Sequence, residues 1–381
     1  MLALRLVRGS RPLVQLRRLL VAAAAAGVGF LLLCVLGHAV GHPEHSSASA
    51  LRLLWCVLPI AATVQFAVAV ARTDPATRPR PGLSSIGLGP ARLTAIAAAS
   101  TAVACTLGSL VALLLFLHLR GDLTGLPFDG AAAGPLAAGQ PLPLAAALTL
   151  LAIVPVAGAA AAGLALRPRT GTPAPEGAAR PVPTGLPWGV ALVAVGLAVE
   201  TYASRGGGEG VALPGRFDGS PAGVLAGWVL TAIGLALAGP GLTHLCGRLL
   251  QAVRPGAVRL LAGRVLMDEA GRIGRPLGVV CAVLSGTLAA ATLYGAGDGT
   301  AFGPLTALGA GVVLACTTAS LLTAALESRQ CRTHTAEALA RIGAPPTVLR
   351  TAALLRAGAL LAVFAPLTWL IGALAALPLT A

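Results

Sequence analysis

The chain has 381 residues, of which 56% are hydrophobic and 10% charged, with a formal net charge of +14. Soluble domains carry about 25% charged residues, so a chain this apolar cannot cover a water-facing surface. Nucleic acid is excluded as the reason for the basic balance: the arginines lie between apolar runs, and with 3% aromatic residues no stacking platform is available.

In chain order, about nine apolar runs are each long enough to cross the hydrocarbon layer of a membrane. They cover residues 19–40, 51–71, 93–118, 142–166, 186–202, 222–246, 277–296, 304–326 and 351–374. Helices are the expected form, because backbone groups in lipid must be satisfied within their own segment. The fold class expected is all-α, a polytopic transmembrane bundle without a large soluble domain. The first run follows a basic stretch, as a signal peptide does. It is too long for a signal core and is read as an uncleaved span.

Arginine placement sets the expected orientation, since short cytoplasmic loops are enriched in basic residues. With the N-terminus inside, Arg5, Arg8, Arg11, Arg17 and Arg18 are cytoplasmic. So are Arg72, Arg78, Arg80 and Arg92, then Arg167, Arg169 and Arg180. The same side takes Arg248, Arg254, Arg259, Arg264, Arg272 and Arg275, then Arg329, Arg332, Arg341 and Arg350. Only Arg52, Arg120, Arg205 and Arg216 fall outside. An odd number of spans then places the C-terminus outside, in a plasma-membrane protein. The Pro-, Ala- and Gly-rich stretch 167–187 reads as an extended cytoplasmic linker.

Two segments resemble each other. Ile86-Gly87-Leu88-Gly89-Pro90-Ala91-Arg92-Leu93 and Ile342-Gly343-Ala344-Pro345-Pro346-Thr347-Val348-Leu349 share the pattern I-G-x-x-P-x-x-L. Each follows a basic stretch and runs into a span. This suggests two related halves, residues 1–166 and 259–381, separated at 167–258 by the linker and an extra pair of spans.

The segment before the last span has the makings of a short, rigid, two-faced helix. Thr335, Leu339 and Ile342 share one face at helical spacing, and Glu337 and Arg341 can pair on another. Gly343 stops the helix, and Pro345-Pro346 enforces the stop. Upstream, residues 255–273 are also amphipathic. Arg264, Asp268 and Arg272 fall on one face, as in a helix lying in the inner membrane interface near anionic lipid.

These segments carry a resemblance. Leu260-Leu261-Ala262-Gly263-Arg264, Arg272-Ile273-Gly274-Arg275-Pro276, Ala325-Leu326-Glu327-Ser328-Arg329 and Thr335 through Arg350 resemble the FtsX-like permease pattern over about residues 259–365. The first half matches weakly, through 86–93. The resemblance implies the membrane subunit of an ATP-binding-cassette (ABC) transporter. Thr335, Leu339, Arg341, Ile342, Gly343 and Pro345 would form a coupling helix against a separate ATPase, with Ile86, Gly87, Leu88 and Pro90 as a weaker copy. The expected partners are that ATPase, membrane lipid and a second permease chain, alike or different. The substrate expected is lipophilic. A non-transporting scaffold of the same fold, driven by ATPase strokes, is the alternative from another class. An unrelated or degenerate multi-span carrier is a third.

Catalytic motifs are missing from the sequence. It has no P-loop, G-x-S-x-G or HExxH pattern, so no enzyme activity, cofactor or metal is expected of the chain itself. The seven cysteines show no CxxC spacing and read as small apolar fillers. His38, His42 and His45 read as a polar loop. Glu200, near the outer end of the fifth run, is expected to reach water. No acid is expected at mid-depth, which argues against an ion-coupled carrier.

Overall fold

The computed structural model describes residues 12–74, 90–123, 130–134, 136–167, 183–205, 210–213, 217–252, 256–295, 303–333, 337, 341, 343 and 345–380. Its helices are α1 (Pro12–Gly41), α2 (Ser46–Trp55), α3 (Val57–Thr73), α4 (Pro90–Arg120), α5 (Leu144–Ala165), α6 (Gly185–Arg205), α7 (Ala222–Gln251), α8 (Ala257–Gly295), α9 (Pro304–Cys331) and α10 (Pro346–Thr380). Among the described residues, nine helical stretches are long and apolar enough to cross a membrane. The chain is a multi-pass, all-α membrane protein.

Two local features differ from the sequence expectation. The second span is broken: α2 and α3 meet at Cys56, three residues before Pro59. Pro59 has no N–H to donate to the Trp55 carbonyl, so one helical hydrogen bond is lost where α2 meets α3. The loop between α6 and α7 contains a two-stranded antiparallel ribbon, β1 (Gly210–Leu213) and β2 (Phe217–Pro221), a small local exception to the all-α expectation. Val211 pairs with Ser220 and Leu213 with Phe217, with an irregularity between them.

The chain divides into two compact units, residues 1–171 with 303–316, and residues 172–302 with 317–381. In the first, α1 packs on α4, α4 on α5, and α3 against α5 and α1. Leu33, Cys34, Ala112, Phe116, Ala147 and Leu151 form a core cluster, and Phe30 meets Phe116 edge-on with ring centroids 6.4 Å apart. The loop after α4 folds back, and its Leu136 is buried in the same cluster. Arg120, itself buried, donates to the Gln140 carbonyl and pairs with Asp122 at 3.3 Å. At the other end of these helices, Arg18 on α1 pairs with Asp74 beyond α3 at 2.5 Å, and Arg17 donates to Thr73 at 3.1 Å. Cys316 of this unit meets Thr63, Sγ to Oγ1, at 3.6 Å.

In the second unit α7 lies between α6 and α8, and α8 also packs against α10. Glycines set the spacing of α6 and α7. Gly189 and Gly196 on α6 face Gly234 and Gly227 on α7, and each pair recurs at a seven-residue interval. A Cβ on Gly196 would lie 2.7 Å from the Gly227 carbonyl oxygen, and one on Gly234 would lie 2.8 Å from that of Gly189. Small residues of this kind let membrane helices come backbone to backbone. The α7–α8 seam is built the same way, through Gly239, Gly247, Gly263, Gly274 and Gly278. Between α8 and α10, Ser285 donates to the Cys281 carbonyl at 2.8 Å and to that of Thr368 at 3.2 Å.

Candidate functional site

The amphipathic stretch before the seventh span is not a separate helix. It continues through Pro276 into that span as one 39-residue helix, α8. At 1.5 Å per residue, 39 residues reach about 58 Å, against a hydrocarbon layer of about 30 Å. The half that carries Arg259, Arg264, Asp268, Glu269, Arg272 and Arg275 therefore extends beyond the hydrocarbon. Continuity survives Pro276 because α7 supports this region: Gly274 packs onto Pro240 and Gly278 onto the Leu235 carbonyl.

Along this half, Arg264, Asp268 and Arg272 are exposed on one face, and Ala262, Leu266 and Ala270 are buried on the other. Glu269 falls on the buried face and is 8% exposed. Burying a carboxylate is costly without a cation, and Arg332, just past the last residue of α9, supplies it. Arg332 Nε lies 2.9 Å from Glu269 Oε1 and donates to the Ser328 carbonyl at 3.1 Å. Its Nη2 donates to Ser328 Oγ at 3.2 Å. One turn along α8, Arg272 Nη1 lies 3.4 Å from the exposed Cys331 thiol. The end of α9 is thus fastened to the charged half of α8 at two adjacent residues.

The sequence pattern places Arg264, Asp268 and Arg272 together but does not single out Glu269 and Arg332. The signal was present: Glu269 lies in step with Ala262 and Leu266, so an acid sits on an apolar stripe, and such a residue needs a basic partner.

Beyond this corner, Glu337 and Arg341 are exposed in helical backbone. Gly343 turns with φ +91°, in the left-handed region that favours glycine. Exposed Pro345 follows, and its carbonyl accepts the Val348 N–H at 3.0 Å as α10 begins. Thr335, Leu339 and Ile342 lie outside the described residues, as do Ile86, Gly87 and Leu88. Pro90 is the first residue of α4.

The expectation for Glu200 is overturned. It does not reach water: it is 1% exposed, facing α7 rather than solvent. The glycine seam draws α7 in at this point, so the carboxyl is covered by protein. Trp228 Nε1 donates to Glu200 Oε1 at 2.6 Å. Neighbouring Tyr202, which suggested access to water, is 82% exposed on another face. His38 and His42 stack with ring centroids 4.4 Å apart. Among the described residues, no three His, Cys, Asp or Glu side chains gather as metal ligands would.

These features define a multi-pass helical membrane protein with one long helix, α8, whose first half is charged. No family model, curated protein or solved structure matches the chain.

Proposed function

We propose that this chain is the membrane subunit of an ABC transporter, with a separate ATPase docking on the segment from Thr335 to Arg350. The observation that carries the reading is the Glu269–Arg332 attachment at 2.9 Å, immediately before that segment. A stroke delivered to a loop is absorbed unless the loop is held rigidly at both ends. One end is held by Arg332 and Arg272 on α8, and the other enters α10 through Gly343 and Pro345. Force on the segment would pass into α8, α9 and α10. ATP is bound and hydrolysed by the partner, since the chain has no P-loop. The arginine distribution supports a cytoplasmic position for this corner, in a plasma-membrane protein. The long apolar helices suit a lipophilic substrate.

The test is Leu339→Asp in the full-length chain, expressed with an ATPase that co-purifies with it. A charge placed in an apolar contact costs several kcal/mol to desolvate, and about 1.4 kcal/mol is tenfold in affinity. The variant is expected to fold and to lose the ATPase. An ATPase that stays bound and active on the variant would rule the segment out as the coupling contact.

A further inference from the structure

Within the α6–α7 pair, Glu200 forms no ion pair among the described residues. Its side chain faces α7, where Gly227 leaves room for it; a Cβ on Gly227 would lie 2.9 Å from the Glu200 Cβ. Trp228 gives Oε1 one neutral donor at 2.6 Å, while Oε2 is buried with no hydrogen-bond partner among the described residues. One turn along the same seam, Thr231 Oγ1 is likewise buried without a partner among the described residues. It stands opposite Gly196, one turn before Glu200 on α6.

Among the described residues, the helices packed against Glu200 place no basic residue level with it. On α7 the titratable residues are His244, Cys246 and Arg248, far along the helix from Trp228. On α10, Phe364 and Ile371 share a cluster with Val193 of α6, so the stretch level with Glu200 lies beyond Ile371 and has no titratable residue. Arg350 and Arg356 are at the opposite end of α10. The sequence of β2 includes one acid, Asp218. On α6 itself Tyr202 and Arg205 are exposed. An isolated carboxylate buried in apolar surroundings is strongly disfavoured, and such a group neutralises instead. Ionisable residues inside membrane spans are functional candidates for this reason.

We infer that Glu200 is a proton-binding site in the membrane. The protonated acid accepts the Trp228 N–H on Oε1 and carries its proton on Oε2. The ionised form has no place in a closed seam. Release of the proton therefore accompanies local separation of α6 from α7, and exchange occurs with the side of the membrane on which α6 ends. The site goes beyond the transporter reading and does not depend on an ATPase.

The test is labelling of the purified full-length chain with dicyclohexylcarbodiimide, an apolar reagent that attacks protonated carboxyls. The acid O–H adds across one C=N bond: oxygen bonds to the central carbon and the proton goes to nitrogen. The acyl group then migrates to nitrogen as a stable acylurea, with no leaving group. Peptide mass spectrometry is expected to find this adduct on Glu200. Once the carboxyl ionises, labelling falls by about tenfold per unit of pH. A water-soluble charged carbodiimide is expected to spare Glu200 while modifying exposed acids such as Asp268 and Glu337. E200Q should lose the adduct. The site is located on the wild-type chain, so the result stands even where E200Q folds poorly. No adduct on Glu200 in folded protein from mildly acidic to mildly basic pH overturns the proposal. Labelling that is independent of pH, or equal with the water-soluble reagent, does so too.

Discussion

The guanidinium of Arg332 lies 2.9 Å from the carboxylate of Glu269 and, through Ser328, also secures the last turn of α9. Glu269 is buried while Arg332 is half-buried, so the pair is unequal. Removing the cation strands a buried carboxylate; removing the acid leaves an arginine that can still turn to water.

Arg332→Ala is therefore expected to destabilise the chain by about 1–3 kcal/mol, less than the roughly 3–5 kcal/mol lost when a fully buried pair is broken, because Arg332 is only half-buried. Glu269→Gln keeps the shape and removes the charge, and should cost less. Thermal unfolding of both variants in detergent, with the double variant, checks this. The double variant is expected to lose less than the two single losses together, because the partners are coupled. Additive losses would show that the contact carries no energy.

The α6–α7 seam gives a second prediction. Gly196→Val would put side-chain atoms where even a Cβ lies 2.7 Å from the Gly227 carbonyl oxygen. Overpacking of this kind costs about 1–3 kcal/mol. The control is Gly271→Ala on the exposed face of α8, where a Cβ meets nothing within 4 Å. Alanine favours a helix over glycine by up to about 1 kcal/mol, so the control should hold or raise the melting temperature. If both variants melt alike, close approach does not set the α6–α7 spacing.

Hydropathy alone made the spans legible, because a helix crossing lipid must be apolar over its whole length and charge marks its ends. All nine runs read from the sequence coincide with helices. Span boundaries were less legible where a helix continues past the membrane. In α8, polar residues read as the edge of a separate element, although backbone hydrogen bonding carries on through them. Burial was the hardest to read. Glu200 stands beside exposed Tyr202 in sequence, and only the meeting of Gly196 with Gly227 shows that its own face is covered. The Glu269–Arg332 pair joins residues far apart in the chain, and periodicity within one helix says nothing about what another brings to it.

Orientation yields a third prediction. With arginines retained on the inner side, a reporter fused after Ala381 is expected to be active only outside the cytoplasm. One placed in the 167–187 linker, before α6 begins, is expected to be active only within it. Activity of the C-terminal reporter in the cytoplasm would mean that one of the nine helices does not cross.

The thiols provide the last prediction, at the corner itself. Six of the seven cysteines are buried, and Cys331 is exposed where α9 ends. A buried thiol reacts only when the helices around it open, whereas Cys331 needs no opening. In native detergent solution a polar maleimide is expected to add quickly to Cys331 alone, and to all seven after denaturation. Intact mass would count the adducts, and peptide mass would place the first. The reaction also reports on the proposed docking, since Cys331 stands at the head of the segment that an ATPase would cover. A bound ATPase should slow modification of Cys331 and leave the denatured count unchanged. In sealed cells a membrane-impermeant maleimide should spare Cys331 until the membrane is opened. Rapid reaction from outside would reverse the orientation, and an unchanged rate with the ATPase bound would place its footprint elsewhere.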